Sequence, residues 1–301
     1  KSASRFLAEV LASPQPRAAP AAVTNAALVE AATCDGHDTL LSGLGADECF
    51  GGYRKTLQYL AGQVNQMRKK HIDLAGLFSL PLGSLLRTRD VLFFGVAEFF
   101  TLKEVARIAH FGGGSTLREL CTTDLEFYRD ALAAKPDASP LELMAAHEYQ
   151  YRVSELLLPA FRVDSEPPRA SLRYPFLEPS VYLWASALGT ARCYWYAEGT
   201  WWAKRLLRAS ARRFLPEPIV MRRRQVLLAP LANWLMARSF RSIVLEEIAD
   251  SPFWDLGVLR KRVRTDLVAK LRRYRTPDMD SRWQEQLWAL LVLCAWLNRR
   301  R

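Results

Sequence analysis

The sequence predicts an α/β fold that is mostly helical, and three observations carry the prediction. A short apolar run, Thr39–Leu41, has the length of a strand and is followed by four glycines within ten residues, Gly43, Gly45, Gly51 and Gly52. A helical stretch and a turn precede that run, so helix, turn, strand and Gly-rich turn make half of a βαβ unit. Beyond Tyr53, residues 54–157 read as a large helical insertion with no further strand, inside one domain spanning 1–301.

Taken in order, Ser4–Ala12 reads as a short helix ended by Pro14, Pro16 and Pro20, because proline cannot continue a helix interior. Ala21–Thr33 reads as a second helix, and Cys34–His37 as the turn into a buried strand. Lys55–Lys70 has the pattern of a basic amphipathic helix. Leu74–Leu86, broken by Gly76, Pro81 and Gly83, is irregular, and Val91–Ala109 is apolar at helical period. Gly112–Ser115 has neither the preceding strand nor the following Lys of a phosphate loop and reads as a linker. Leu117–Leu132 and Pro140–Leu157 read as helices, the second starting from a Ser139–Pro140 cap. Pro167 and Pro168 force an extended or turning backbone. Lys204–Phe214 reads as a helix with a basic face, ended by Leu215–Pro216, with Arg222, Arg223 and Arg224 in the loop beyond.

Composition bounds the function. At 301 residues, half of them apolar, the chain can bury a sizeable core. Its five cysteines are odd in number and lack metal spacing, which fits free thiols in a reducing cytoplasm. His71, His110 and His147 have no metal spacing either. The most apolar window, Leu287–Trp296, is too short to span a bilayer, and no N-terminal targeting signal is present. The formal charge of +11 suits nucleic acid, an anionic membrane surface or a phosphate-bearing or acidic substrate. The excess is scattered over Arg260–Arg264, Arg272–Arg275 and Arg299–Arg301, which reads as solvated helix faces, so no nucleic-acid partner is expected.

Chemistry concentrates around Leu41-Ser-Gly-Leu-Gly-Ala-Asp-Glu-Cys-Phe-Gly-Gly-Tyr53. Ligands of open α/β sheets bind just past the carboxyl end of a strand. A Gly-rich turn holding an acid there suits a phosphate–Mg²⁺ site, with backbone N–H groups on the phosphate and the carboxylate on the metal. A plain strand–turn–helix with surface acids is the simpler alternative. Further on, Arg162, Asp164, Arg169 and Arg173 place charge beside the apolar Tyr174–Leu177. This reads either as a buried ion-pair network or as a substrate-facing wall.

The string Leu41–Tyr53 resembles a signature of the synthetase domain of the asparagine synthetase superfamily. That superfamily includes glutamine-dependent asparagine synthetase, β-lactam synthetase and the macrolactam cyclases of lasso peptides. Leu158–Asp164 with Leu172–Glu178, Lys204–Ala209, Leu215–Gln225 and Arg282–Trp288 resemble later segments of the domain in the same order. The resemblance implies a partial parallel-sheet, ATP-pyrophosphatase-like synthetase core that forms amides through an acyl-adenylate, with ATP and Mg²⁺. It implies that Asp47 binds Mg²⁺ and acts with Arg224 in catalysis. Ser42, Gly43, Gly45, Lys204 and Arg222 would bind ATP, and Leu44, Asp164, Ser171 and Arg173 would line the substrate.

The chain also departs from that pattern. The upstream SGGxDS pyrophosphate loop and the glutaminase-type domain are absent from it. Since it starts at Lys1, it is expected to be a piece whose missing portion, or a companion leader-peptide-processing protein, is a partner. Leu44 stands where asparagine synthetase has an acid and β-lactam synthetase a Tyr, Ser171 where the family has a Glu, and Arg224 where it has a Lys. These departures favour cyclisation of a lasso-type precursor peptide over amino-acid amidation. Asparagine synthetase and a non-catalytic synthetase-like scaffold are the alternatives.

Overall fold

Two short sheets sit beside a larger body of helices in the computed structural model, which describes residues 3–17, 19–53, 56–57, 60–62, 100, 104, 107–110, 126–161, 170–223, 229–277 and 280–300. Helix α1 (Ala3–Leu11) turns Phe6, Leu7, Val10 and Leu11 inward, and the proline cluster ends it as expected. Helix α2 (Ala21–Cys34) leads through a turn into strand β1 (Thr39–Leu41), and the Gly-rich turn opens into the five-residue helix α3 (Ala46–Phe50). These boundaries agree with the sequence reading. The strand's burial does not: Thr39 and Leu41 are exposed, Leu41 by 76%. Among the described residues β1 pairs only with β2 (Ser171–Arg173).

Most of residues 54–125, and with them much of the helical insertion and the linker, lie outside the described residues. Its end is described. Helix α4 (Pro140–His147) starts from a capping box, in which Ser139 Oγ accepts from the Glu142 N–H and Glu142 accepts from the Ser139 N–H. The single helix expected over Pro140–Leu157 instead widens into a π-helix, Glu148–Leu157, before returning to α5 (Leu158–Phe161). A π-turn leaves no mark in hydrophobic period, so the change of winding could not be read from the sequence.

Strand β2 lies parallel to β1, with Thr39 opposite Ser171 and Leu41 opposite Arg173. A short 3₁₀ turn and helix α6 (Pro179–Leu188) follow it. Two strands that the sequence reading lacked come next. Strands β3 (Tyr194–Ala197) and β4 (Thr200–Ala203) form an antiparallel hairpin. Its two-residue turn, Glu198–Gly199, has both φ values positive, at 52° and 76°. That geometry matches the twist of a tight hairpin. The aromatic Tyr194-Trp-Tyr and Trp201-Trp flanking a Gly were the available signal.

Helices α7 (Arg205–Ala211), α8 (Glu217–Val220), α9 (Leu231–Trp234), α10 (Arg238–Ala249), α11 (Lys261–Arg272) and α12 (Ser281–Asn298) complete the chain. The main core joins α1 and α2 to α9–α12, through Leu7, Val23, Phe240, Ile248, Leu271, Leu287 and Leu291. Trp288 is fully buried there and its indole N–H donates to the Arg17 carbonyl at 3.1 Å. Among the described residues no helix is long and apolar enough to cross a membrane.

Because Trp288 fills the centre of this core and satisfies the Arg17 carbonyl, Trp288→Ala should destabilise the fold by about 3–5 kcal/mol. Urea unfolding of the two proteins, compared by midpoint at equal slope, checks this.

Candidate functional site

The two parallel strands end side by side, and the turns leaving them touch. Past β1, the Ser42 N–H donates to the Arg173 carbonyl at 2.8 Å, and Ser42 Oγ accepts from the Leu44 N–H at 3.2 Å. Gly45 then takes φ 96°, and a Cβ on it would stand 3.0 Å from the Phe176 carbonyl carbon and closer still to Leu177. Only glycine lets the first turn lie against the second. The turn delivers the chain into α3, whose Ala46, Glu48, Cys49 and Phe50 are buried. Phe50 packs edge-on to Phe176, ring centroids 5.9 Å apart, on the flank of α6.

Asp47 points from the opposite side of α3. Its Oδ1 meets Lys204 Nζ at 2.8 Å, and the two side chains are 21% and 27% exposed. A Cβ on Gly52 would fall on Asp47 Oδ1 and within 2.9 Å of Lys204 Cε, so the absent side chain makes room for the pair. Lys204 lies just before α7, not within it as expected, with left-handed φ 61°. Its N–H donates to the Phe50 carbonyl at 3.1 Å. This conformation costs a β-carbon-bearing residue roughly 1–2 kcal/mol. Such strain collects at functional sites, where surrounding structure holds it.

Behind Asp47 lies a buried polar network that the sequence reading missed. The Tyr53 hydroxyl donates to Glu48, which is 7% exposed. The Arg152 guanidinium lies 4.8 Å from the Tyr53 ring centroid, and its Nε is 3.7 Å from Glu148, itself 2% exposed. The i,i+4 spacing of Glu148 and Arg152 was a readable signal. Burial raises the Glu48 carboxyl above its ordinary value and the Asp47 charge adds to this, while the Tyr53 hydrogen bond and Arg152 pull the other way. Cys49 and Cys193 flank the same region. Burial pushes each up to about 11, so neither is a thiolate nucleophile at neutral pH.

A second wall comes from the hairpin. Arg208 donates from Nε to the Ala203 carbonyl at 3.0 Å, from Nη1 to the Val220 carbonyl and from Nη2 to the Arg222 carbonyl at 3.2 Å. These bonds tie the loop carrying Arg222 and Arg223 to the end of β4, next to Lys204. Arg223 lies 6.0 Å from the Trp202 ring centroid, on the pair formed by Trp195 and Trp202.

The structure thus brings Ser42, Gly43, Leu44, Gly45, Asp47 and Lys204 together, with Ser171 and Arg173 on the adjoining strand. Arg222 is exposed on the loop fixed by Arg208. Arg224 and Asp164 lie outside the described residues. No three of His, Cys, Asp and Glu gather to hold a metal among the described residues.

The site sets a glycine turn, a carboxylate and an ammonium past the carboxyl ends of two parallel strands. The family model for asparagine synthase matches residues 7–298, so the chain belongs to that family, within the superfamily of ATP-dependent amide-forming synthetases. No curated protein and no solved structure matches it.

The raised carboxyl of Glu48 has a consequence for stability. Its folded state favours the neutral acid, so its contribution is full below pH 4.5, the ordinary value, and is lost as the pH rises through the raised folded value. Glu48→Gln removes that titration. Melting temperatures taken from pH 4 to 8 should show wild type losing stability relative to the variant as pH rises. A gap that is flat, or that moves the other way, would contradict the assignment.

Proposed function

We propose that this protein joins a carboxylate to an amine at the expense of ATP, and that its substrate is a lasso-type precursor peptide closed into a macrolactam. The observation that carries the ATP chemistry is the Asp47–Lys204 pair set beside the Gly-rich turn. Mg²⁺ keeps most of its shell as water and phosphate oxygen and needs only one or two carboxylates. A single carboxylate with a cation at its side fits a metal shared with the phosphates of ATP, and does not fit a cage built of protein alone. Mg²⁺ so held would neutralise charge developing on the phosphates.

In that reading the substrate carboxylate attacks the α-phosphorus and pyrophosphate leaves, giving an acyl-adenylate. The amine then attacks the acyl carbon and AMP leaves. Asp47 would hold Mg²⁺, and Lys204 would give up that carboxylate and offer its ammonium to a phosphate oxygen. Arg222, and Arg224 beyond it, answer charge on the departing pyrophosphate. Ser42, Gly43 and Gly45 bind the nucleotide through backbone and hydroxyl.

Leu44 and Ser171 support the peptide. Leu44 stands just past the carboxyl end of β1, whereas the exposed Ser171 opens β2 at its amino end, and neither carries a charge for the second carboxylate or the ammonium of a free amino acid. An unpaired charge is costly to bury. A peptide brings one charge at the reacting carboxyl and apolar surface around it.

Asp47→Asn and Lys204→Met should each lower Mg²⁺-dependent ATP–pyrophosphate exchange at least about a hundredfold, since metal and phosphate contacts are worth several kcal/mol in the transition state. Both variants should still unfold cooperatively in urea, which shows that the loss of exchange is not a loss of the fold. Exchange at the wild-type rate in Asp47→Asn would end the metal assignment.

The substrate is tested by AMP release. The protein should release AMP with a peptide bearing a free N-terminal amine and a reachable Asp or Glu side chain. It should not do so with free aspartate plus glutamine or ammonia. Asparagine among the products would restore the asparagine synthetase reading.

A further inference from the structure

A cavity of about 400 Å³ opens away from the Gly-rich turn, between residues Phe100, Glu104, Arg107 and Ile108 on one side and helices α11 and α12 on the other. Its floor is main core: Leu267, Leu287 and Leu290 line it and are all buried. One wall is the backbone near Ile108, and four polar links hold it in place. The Arg260 N–H donates to the Ile108 carbonyl and the His110 N–H to the Val258 carbonyl, both at 2.8 Å. Glu104 is held by Arg282 Nε at 3.0 Å and Gln286 Nε2 at 3.1 Å. The facing wall is Trp283, with Lys270 Nζ 3.9 Å from its ring centroid.

These links tie Ile108 and His110 to the chain leading into α11, and Glu104 to α12. Water is a poor tenant for the cavity floor, because a confined water needs two or more polar partners and three buried leucines supply none. The volume lies in the range of small-ligand sites, which are mostly apolar with a few placed polar groups. The rim has a sign. Arg107, Arg262 and Lys270 stand there against Asp266, and the Glu104 charge is already matched by Arg282. Arg262 is set along the wall by its Nη2, which donates to the Arg107 carbonyl at 3.3 Å. An apolar well under a cationic rim selects a ligand with an apolar body and an anionic end.

We propose that this cavity binds a small amphipathic carboxylate, its chain on the leucine floor and its carboxylate among Arg107, Arg262 and Lys270. The site shares no residue with the Asp47 region, so it stands whether or not the amide-forming reading does. A carboxylate at the rim draws on the Lys270 ammonium and changes the surroundings of the Trp283 indole.

The probe is sodium decanoate, followed by calorimetry and by the nuclear magnetic resonance signal of the Trp283 indole N–H, assigned with Trp283→Phe. One decanoate should bind per chain and shift that signal. Decylamine, with the same chain and opposite charge, should bind at least about tenfold more weakly. The exposed double variant Arg262→Glu/Lys270→Glu, with an unchanged melting temperature, should lose decanoate by a similar factor. Three results would overturn the proposal: no saturable decanoate binding, decylamine binding as well as decanoate, or decanoate affinity indifferent to the charge reversal. Binding of an acidic aromatic peptide without any binding of decanoate would overturn it too, and would make the cavity a peptide-docking surface.

Discussion

Asp47 meets Lys204 across the side chain that Gly52 lacks, and the placement of the site follows from that contact. Asp47 stands on a helix of only five residues, too short to hold its own orientation. Burial of Phe50 and Cys49 against α6 fixes one side of it. The hydrogen bond from the Lys204 N–H to the Phe50 carbonyl fixes the other, by tying the end of the hairpin to the end of α3. The same backbone bond therefore holds Lys204 in its left-handed conformation and its ammonium within reach of the carboxylate.

The polar groups around this contact fall into two kinds. Glu48, Tyr53, Arg152 and Glu148 are taken largely out of water. Breaking such a set leaves an uncompensated buried charge, at a cost of about 3–5 kcal/mol. Asp47 and Lys204 keep about a quarter of their side-chain surface in solvent, more than Glu48 or Glu148 do. The deep network serves as a fixed base. The outer pair is the part of the site that solvent reaches.

Much of this was legible in the sequence, for physical reasons that also explain the gaps. The strand and its Gly-rich turn were visible because close approach excludes a side chain at Gly45 and Gly52. The proline cluster between α1 and α2 made the end of one and the start of the other visible. The β3–β4 hairpin was missed because its strands are four residues each and aromatic on both faces, so no clean alternation distinguishes them. Lys204 was assigned to a helix because basic residues continue through it; its left-handed turn depends on a bond to Phe50, far away in sequence. The π-helix leaves no periodic trace. The exposure of Leu41 was missed because an apolar run reads as buried wherever it occurs, whereas burial depends on what the rest of the fold lays over it.

Arg208 shows how the two halves of the site are held to one another. Its guanidinium uses Nε on the last residue of β4 and both terminal nitrogens on the loop from Val220 to Arg222. Lysine could not replace it, since an ammonium is a point donor and cannot reach three carbonyls in a fixed fork. The bonds go to backbone, so they set the path of the arginine loop whatever side chains it carries. Loop position and loop charge are thereby separated. Arg208 fixes the backbone path of that loop relative to Lys204, one residue beyond β4.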